Sequence, residues 1–198
     1  MESGFIPVVW PEDVIPPEAV NCTKCELHCQ RSRIIWGEGN PDAPIIIILD
    51  NPGAREDREG NPFVCGTRQA LQLAAHISGL KMEDLYITYI LKCRPLRKYN
   101  KEKARNTCME HLKNQIQKQK PKLAFCMGNT AVQWFFDNMQ AEVKNLRGIW
   151  HKIGNIPTCV TYHPLAVRRR PNLFQHFLND WELLSQRFFD MNKDLHKP

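Results

Sequence analysis

With 198 residues, 42% of them hydrophobic and 24% charged, the chain has the make-up of an ordinary globular domain and is long enough to bury a core. No apolar run is long enough to span a bilayer and the acidic, proline-bearing N-terminus does not read as a signal peptide, so a cytoplasmic protein with no membrane partner is expected. A formal net charge of +6 suits an anionic partner such as nucleic acid without requiring one.

In chain order, residues 1–20 read as an irregular lead-in to a single domain spanning 1–198, with 191–198 as a flexible tail. Strands are predicted at 45–49, 86–91, 123–127 and 157–162, and helices at 66–78, 101–119, 129–139 and 172–190. This alternation indicates an α/β fold with a mainly parallel sheet. The run Ile45-Ile-Ile-Ile-Leu49 has the pattern of a strand buried on both faces. It ends at Asp50-Asn51-Pro52-Gly53, where proline lacks the ladder N–H and glycine opens the left-handed region. A carboxylate and a carboxamide thus sit at the carboxyl end of a buried strand, the edge at which open α/β sheets bind ligands. In the last helix Leu173, Phe174, Phe177, Leu178, Trp181, Leu184 and Phe188 recur at helical spacing and read as core packing.

Eight cysteines without a secretory signal argue against a disulfide framework. Cys126 and Cys159 lie in apolar segments and read as packed core thiols. Cys22-Thr-Lys-Cys25 forms one group, and Cys93 and Cys108 lie far downstream. Four thiols in two groups can close a tetrahedral sulfur site for zinc or for an iron–sulfur cluster, with Cys29 as a spare. The split second pair is unlike the tight knuckles of a zinc ribbon, and a bulkier four-iron cluster tolerates ligands drawn from distant loops.

Thr161-Tyr-His-Pro-Leu-Ala-Val-Arg-Arg-Arg-Pro171 follows another apolar strand. A histidine held by Pro164 at a strand end can donate to a developing oxyanion. The adjoining Arg168, Arg169 and Arg170 suit a phosphate backbone. Phe63, a short loop beyond Asp50, has the shape to stack on a flat ligand.

In their order and separation these motifs resemble the family 4, iron–sulfur, uracil-DNA glycosylases: Trp36-Gly-Glu-Gly-Asn-Pro-Asp-Ala43, the Pro-Gly turn with Glu56-Asp57, Gly60-Asn-Pro-Phe-Val64, Tyr86-Ile-Thr before Lys-Cys-Arg-Pro95, Arg147-Gly-Ile-Trp150 and His163-Pro164. The resemblance runs from about Cys22 to Leu184. It implies a three-layer α/β/α sandwich, a [4Fe-4S] cluster on Cys22, Cys25, Cys93 and Cys108, and a cleft for DNA carrying a damaged base. By the same resemblance Asp50 or Asn51 orients the attacking water, Gly53 and Phe63 contact the flipped base, and His163 bonds its carbonyl. Val167 falls at the position of the apolar wedge. A monomer is expected.

Several positions depart from the family pattern. Asp50 stands for a glutamate, one methylene shorter, and Asn51 falls where other branches of the superfamily carry a water-positioning asparagine or aspartate. Tyr89 replaces the asparagine that reads the uracil edge, offering one hydroxyl for a carboxamide's paired donor and acceptor. Cys65 and Arg68 add bulk where relatives have small residues. The activity implied is hydrolysis of the N-glycosidic bond of a deaminated base, with uracil, hypoxanthine and xanthine as candidates. The alternative is an iron–sulfur protein that binds DNA lesions without cleaving them.

Overall fold

The computed structural model describes residues 4–58 and 64–194. The apolar runs form the centre of one sheet, built from β1 (Glu38–Gly39), β2 (Ile45–Leu49), β3 (Leu85–Tyr89), β4 (Leu123–Met127), β5 (His151–Ile153) and β6 (Ile156–Thr161), in the order β1-β3-β2-β4-β6-β5. The inner four strands pair in parallel, and β1 and β5 close the edges antiparallel. Every residue of β2 is buried, as its unbroken aliphatic run requires.

The helices are α1 (Pro17–Val20), α2 (Gly66–Ile77), α3 (Lys101–Gln119), α4 (Asn129–Phe135), α5 (Val143–Leu146), α6 (Pro164–Arg169) and α7 (Phe174–Asp194). Alternation along each strand sends Ile45, Ile47 and Leu49 to the core shared with α2, α6 and α7, where Phe125 meets Trp181 edge-on at 5.1 Å between ring centroids. Ile46 and Ile48 face the opposite core, which packs against Leu112 of α3 and Val132 of α4. The architecture is a three-layer α/β/α sandwich.

Helix α3 is delimited by local chemistry. Asn100 Oδ1 accepts the Lys103 N–H at 3.0 Å as its N-cap, and Lys120 takes the left-handed conformation (φ 50°) just before Pro121. The stretch 129–139, expected as one helix, ends at Phe135, and Asp137 adopts φ 52°. The lead-in is not wholly irregular: Glu12 bridges to Glu38, and α1 begins with Pro17 at N1. Likewise α7 continues through the start of the expected tail to Asp194. The basic turn 163–170 contains a helix, α6, with Pro164 at its first position. Edge strand β5 escaped the sequence reading because only three residues pair, although Gly154-Asn155 between Ile153 and Ile156 is a two-residue hairpin signal.

Arg147, from the Arg-Gly-Ile-Trp motif, has a structural task. Its Nε and Nη2 donate to the two carboxylate oxygens of Asp180 at 3.0 and 2.8 Å, and Thr161 Oγ1 donates to Oδ2 at 2.8 Å. Asp180 is wholly buried. This fastens the loop after α5 and the end of β6 to α7. Asp180→Ala would strand a guanidinium and a hydroxyl, and is expected to lower the unfolding free energy in urea by about 3 kcal/mol. A loss below about 1 kcal/mol, the scale of an exposed ion pair, would show that the triad does not anchor this edge.

Candidate active site

The sheet order places a crevice at the site that the sequence singled out. From β2 the chain steps to β3 on one side, and then returns across β2 to β4 and β6 on the other. The carboxyl ends of β2 and β4 therefore flank a topological switch point, where loops diverge and leave room for a ligand. A pocket of about 350 Å³ opens there, with Asp50, Asn51, Tyr89, Gly128, His163 and Leu165 among its lining residues. Gly128 has φ 93°, and a Cβ on it would lie 2.9 Å from the Cβ of His163. The turn after β4 thus needs glycine both for its backbone conformation and to let the histidine close over the pocket.

His163 caps α6. Its Nδ1 accepts the Leu165 N–H at 3.1 Å, so in the neutral ring the proton must reside on Nε2. Burial pushes its pKa down to about 4, and the positive charge of Arg68 adds to the effect. The side chain is therefore a neutral N–H donor of fixed tautomer. Asn51 turns its Nδ2 onto the Pro52 carbonyl at 2.8 Å, which leaves Oδ1 to accept from a water. The Asp50 carboxylate is held by Arg105 of α3, whose Nη2 reaches Oδ1 and Oδ2 at 3.1 and 3.2 Å. Burial raises the Asp50 carboxyl above its ordinary range, and Arg105 and Lys101 pull it back. Arg105 is itself buried and lies 5.8 Å from the Trp134 ring centroid.

Gly53 lines the pocket and backs onto Glu56, whose Oε1 accepts a hydrogen bond from the Cys65 thiol at 3.2 Å. Tyr89 lies at the β3 end of the pocket and Arg68 beside it. Phe63 lies outside the described residues. Arg168, Arg169 and Arg170 are exposed along the end of α6, with the Arg168 guanidinium lying against Gly66 at the start of α2. A neighbouring cavity on the far side of His163 is lined by Lys144, Tyr162 and Arg170.

One expected role is not supported. Val167 is only 4% exposed and packs in the core beneath α6, because that helix turns this face towards α2 and α7. A side chain so held is not available as a wedge. The half-buried apolar residue that α6 presents to the pocket is Leu165.

On the other side of the sheet ends, Cys22, Cys25, Cys93 and Cys108 line one cavity with Arg31 and His111. Arg31 Nη1 approaches Cys93 Sγ at 3.6 Å, and its Nη2 donates to the Cys22 carbonyl at 2.9 Å. His111 Nε2 is buried there, and among the described residues it has no hydrogen-bond partner. Cys29 is exposed and contacts His28 instead. Among the described residues no three His, Cys, Asp or Glu side chains converge as a group that could hold a metal ion. Cys126 and Cys159 are fully buried core thiols, as expected.

The sequence reading missed Arg105 and Arg31, and it quoted Glu38 and Glu56 within motifs without giving either a role. Arg105 left one signal, being an arginine three residues before Cys108 on the same helix and so facing the same way.

The family model described as the uracil DNA glycosylase superfamily matches residues 36–185. The chain belongs to that superfamily. Among its relatives, the type-4 uracil-DNA glycosylase of Archaeoglobus fulgidus is 30% identical over 182 residues, covering 88% of this chain and 92% of that one. That of Pyrobaculum aerophilum is 32% identical over 186 residues, covering 87% and 94%. That of Saccharolobus solfataricus is 33% identical over 168 residues, covering 80% and 78%. The superfamily match takes in all the residues that line the pocket described above.

For a histidine whose folded-state pKa lies below its unfolded value, the stability it contributes is complete above about pH 6.5 and is lost as the pH falls towards 4. In an NMR titration the His163 ring is expected to titrate with a midpoint about 4. A midpoint at or above the ordinary 6.5 would mean that the ring is a cation in the pocket and not a neutral donor.

Proposed function

We propose that this chain is a DNA glycosylase that hydrolyses the N-glycosidic bond of a deaminated base flipped out of DNA, with uracil as the first substrate. The observation that carries this reading is the opposition, across one pocket at the switch point, of a water-orienting pair (Asp50, Asn51) and a neutral fixed donor (His163). The membership of the superfamily and the names of the relatives support it.

The chemistry follows from the groups. A glycosidic bond inside a duplex cannot be reached, so the nucleotide is extruded into the pocket. As the bond to the sugar breaks, its electron pair passes to the base. Charge builds on the base carbonyl that faces His163 Nε2–H, where an oriented neutral donor in a dry pocket stabilises it. Asn51 Oδ1 accepts from the water that adds to the sugar carbon. Asp50 supplies negative charge to the oxocarbenium-like sugar. Its pairing with Arg105 keeps the carboxylate oriented and opposes its protonation, which suits an electrostatic role. Leu165 is the apolar side chain placed to fill the vacated stack, and Arg168, Arg169, Arg170 and Lys144 provide charge for the phosphates.

The four cysteines around one cavity, with a guanidinium beside them to offset thiolate charge, fit a [4Fe-4S] cluster on Cys22, Cys25, Cys93 and Cys108. When bound, the cluster supplies a cross-link between the N-terminal pair, the loop after β3 and α3. Purified anaerobically, the protein is expected to be brown and to contain about four irons per chain. Colourless protein carrying zinc would contradict this assignment.

The reading as a whole is tested on duplexes containing uracil, hypoxanthine or xanthine, with alkaline cleavage of the abasic product. Release is expected from uracil, and His163→Ala is expected to slow it by about 100-fold, the cost of removing one transition-state donor. Salt-sensitive binding with no base release from any of the three, at stoichiometric enzyme, would establish the binding-only alternative.

A further inference from the structure

Two departures from the family pattern, distant in sequence, form a single unit in the structure. Arg68 of α2 reaches across the β3 end of the pocket and donates through Nη2 to the hydroxyl of Tyr89. The same guanidinium donates through Nε to Glu38 Oε1, and its Nη2 lies 3.9 Å from Glu56 Oε1. All four side chains are buried. Burial acts to lower the Arg68 pKa, but Glu38 and Glu56 hold it above the ordinary value, so it remains a cation.

The consequence for Tyr89 is a matter of donor and acceptor count. A guanidinium has five N–H donors and no acceptor, so the Tyr89 oxygen is the acceptor in this bond. Its own hydrogen is left to donate, and among the described residues no acceptor takes it. Burial raises the Tyr89 pKa far above the ordinary value, so the phenol keeps its proton. Tyr89 lines the pocket, so that hydrogen is placed to donate to a group bound there. At the β6 end, His163 Nε2–H is likewise a donor. The two strands are separated in the sheet by β2 and β4. The pocket thus presents a donor at each end, Tyr89 lacks the carboxamide oxygen that would accept a ring N–H, and the Glu56 carboxylate beside it is engaged by Cys65 and Arg68.

We propose that the Arg68–Tyr89 pair is the specificity element of this pocket: a donor-only reader that selects bases bearing a carbonyl at the position remote from the sugar, the 4-oxygen of uracil or the 6-oxygen of hypoxanthine and xanthine, and rejects the amino group of cytosine or adenine. It rests on the proposed base-binding role of the pocket. An amino group would set N–H against the Tyr89 O–H, with a buried cation behind the phenol, so the bond that a carbonyl accepts there is replaced by two opposed donors. Arg68, which also lines the pocket, serves here as a positioning residue, since its bond to the Tyr89 oxygen sets the direction in which the phenol donates.

The test is binding of the full chain to duplexes carrying one uncleavable 2′-fluoroarabino nucleotide, with uracil, cytosine or 2-pyrimidinone as the base. The last lacks the 4-oxygen of uracil together with the N3 hydrogen, and the Tyr89→Phe comparison isolates the part of the difference that belongs to the phenol. The uracil duplex is expected to bind about tenfold tighter than the 2-pyrimidinone duplex, the worth of one hydrogen bond, and tighter still than the cytosine duplex. Tyr89→Phe, which keeps the ring, is expected to abolish the uracil-to-pyrimidinone difference. Arg68→Met combined with Glu38→Gln and Glu56→Gln removes the buried ion cluster whole and frees the phenol oxygen to accept, so cytosine is expected to gain on uracil. Equal affinity of the wild-type protein for uracil and 2-pyrimidinone overturns the proposal without any variant. So does unchanged discrimination in Tyr89→Phe with an unaltered melting temperature. Because the analogues are not cleaved, the two readings fail separately. No base release from uracil removes the glycosylase, whereas an active glycosylase with equal uracil and 2-pyrimidinone affinity removes only the reader.

Discussion

The pairing of β2 between β3 and β4 is the constraint on which the rest of the molecule depends. An aliphatic strand buried on both faces can lie only in the interior of a covered sheet. Because the chain lays β3 on one side of it and β4 on the other, the loops leaving β2 and β4 part company. The Asp50-Asn51-Pro52-Gly53 turn is projected into the gap, and Gly128 lets the His163 turn approach from β6. The hydrogen bonds Ile90 N to Leu49 O (2.8 Å) and Leu91 N to Asp50 O (2.9 Å) continue the parallel pairing past the end of β3. The polar pair thus sits on a backbone that the sheet itself holds in place.

Two buried arginines sit behind the polar walls of this pocket. Arg105 stands behind Asp50 and Arg68 behind Tyr89, and both are balanced by carboxylates. Charges of this kind are costly to bury, so each is tied by more than one bond. Their effect is to fix polarity. Asp50 is kept oriented, the Tyr89 oxygen is committed as an acceptor so that its proton faces inward, and His163 is kept uncharged. Arg105 also lies on the same helix as Cys108, so α3 joins the cysteine cavity to the Asp50 end of the pocket.

What could be read from sequence was local. The runs 45–49 and 123–127, the apolar stripe of the last helix and the His163-Pro164 turn carry their meaning within a few residues. The cysteine group and the superfamily followed from short motifs in order. Pairings made by the tertiary fold were invisible: Asp50 and Arg105 are 55 residues apart, Arg68 and Tyr89 are 21 apart. Tyr89 and Arg68 were noticed as separate oddities, but nothing in their neighbourhoods says that they touch. The wedge role of Val167 rested on alignment with relatives, whereas the burial of that residue depends on how α6 is set against α2 and α7. Edge strands β1 and β5 were missed because two or three paired residues make no pattern.

The central claim is that the crevice at the switch point holds a flipped base between two donors. A crystal structure of the protein with a duplex carrying 2′-fluoroarabino-uridine tests it directly. The account requires the uracil ring in the pocket, with one carbonyl in hydrogen-bond range of His163 Nε2 and the 4-carbonyl in range of the Tyr89 hydroxyl. A base left stacked in the duplex, or a ring in the pocket with its 4-carbonyl turned away from Tyr89, would contradict it.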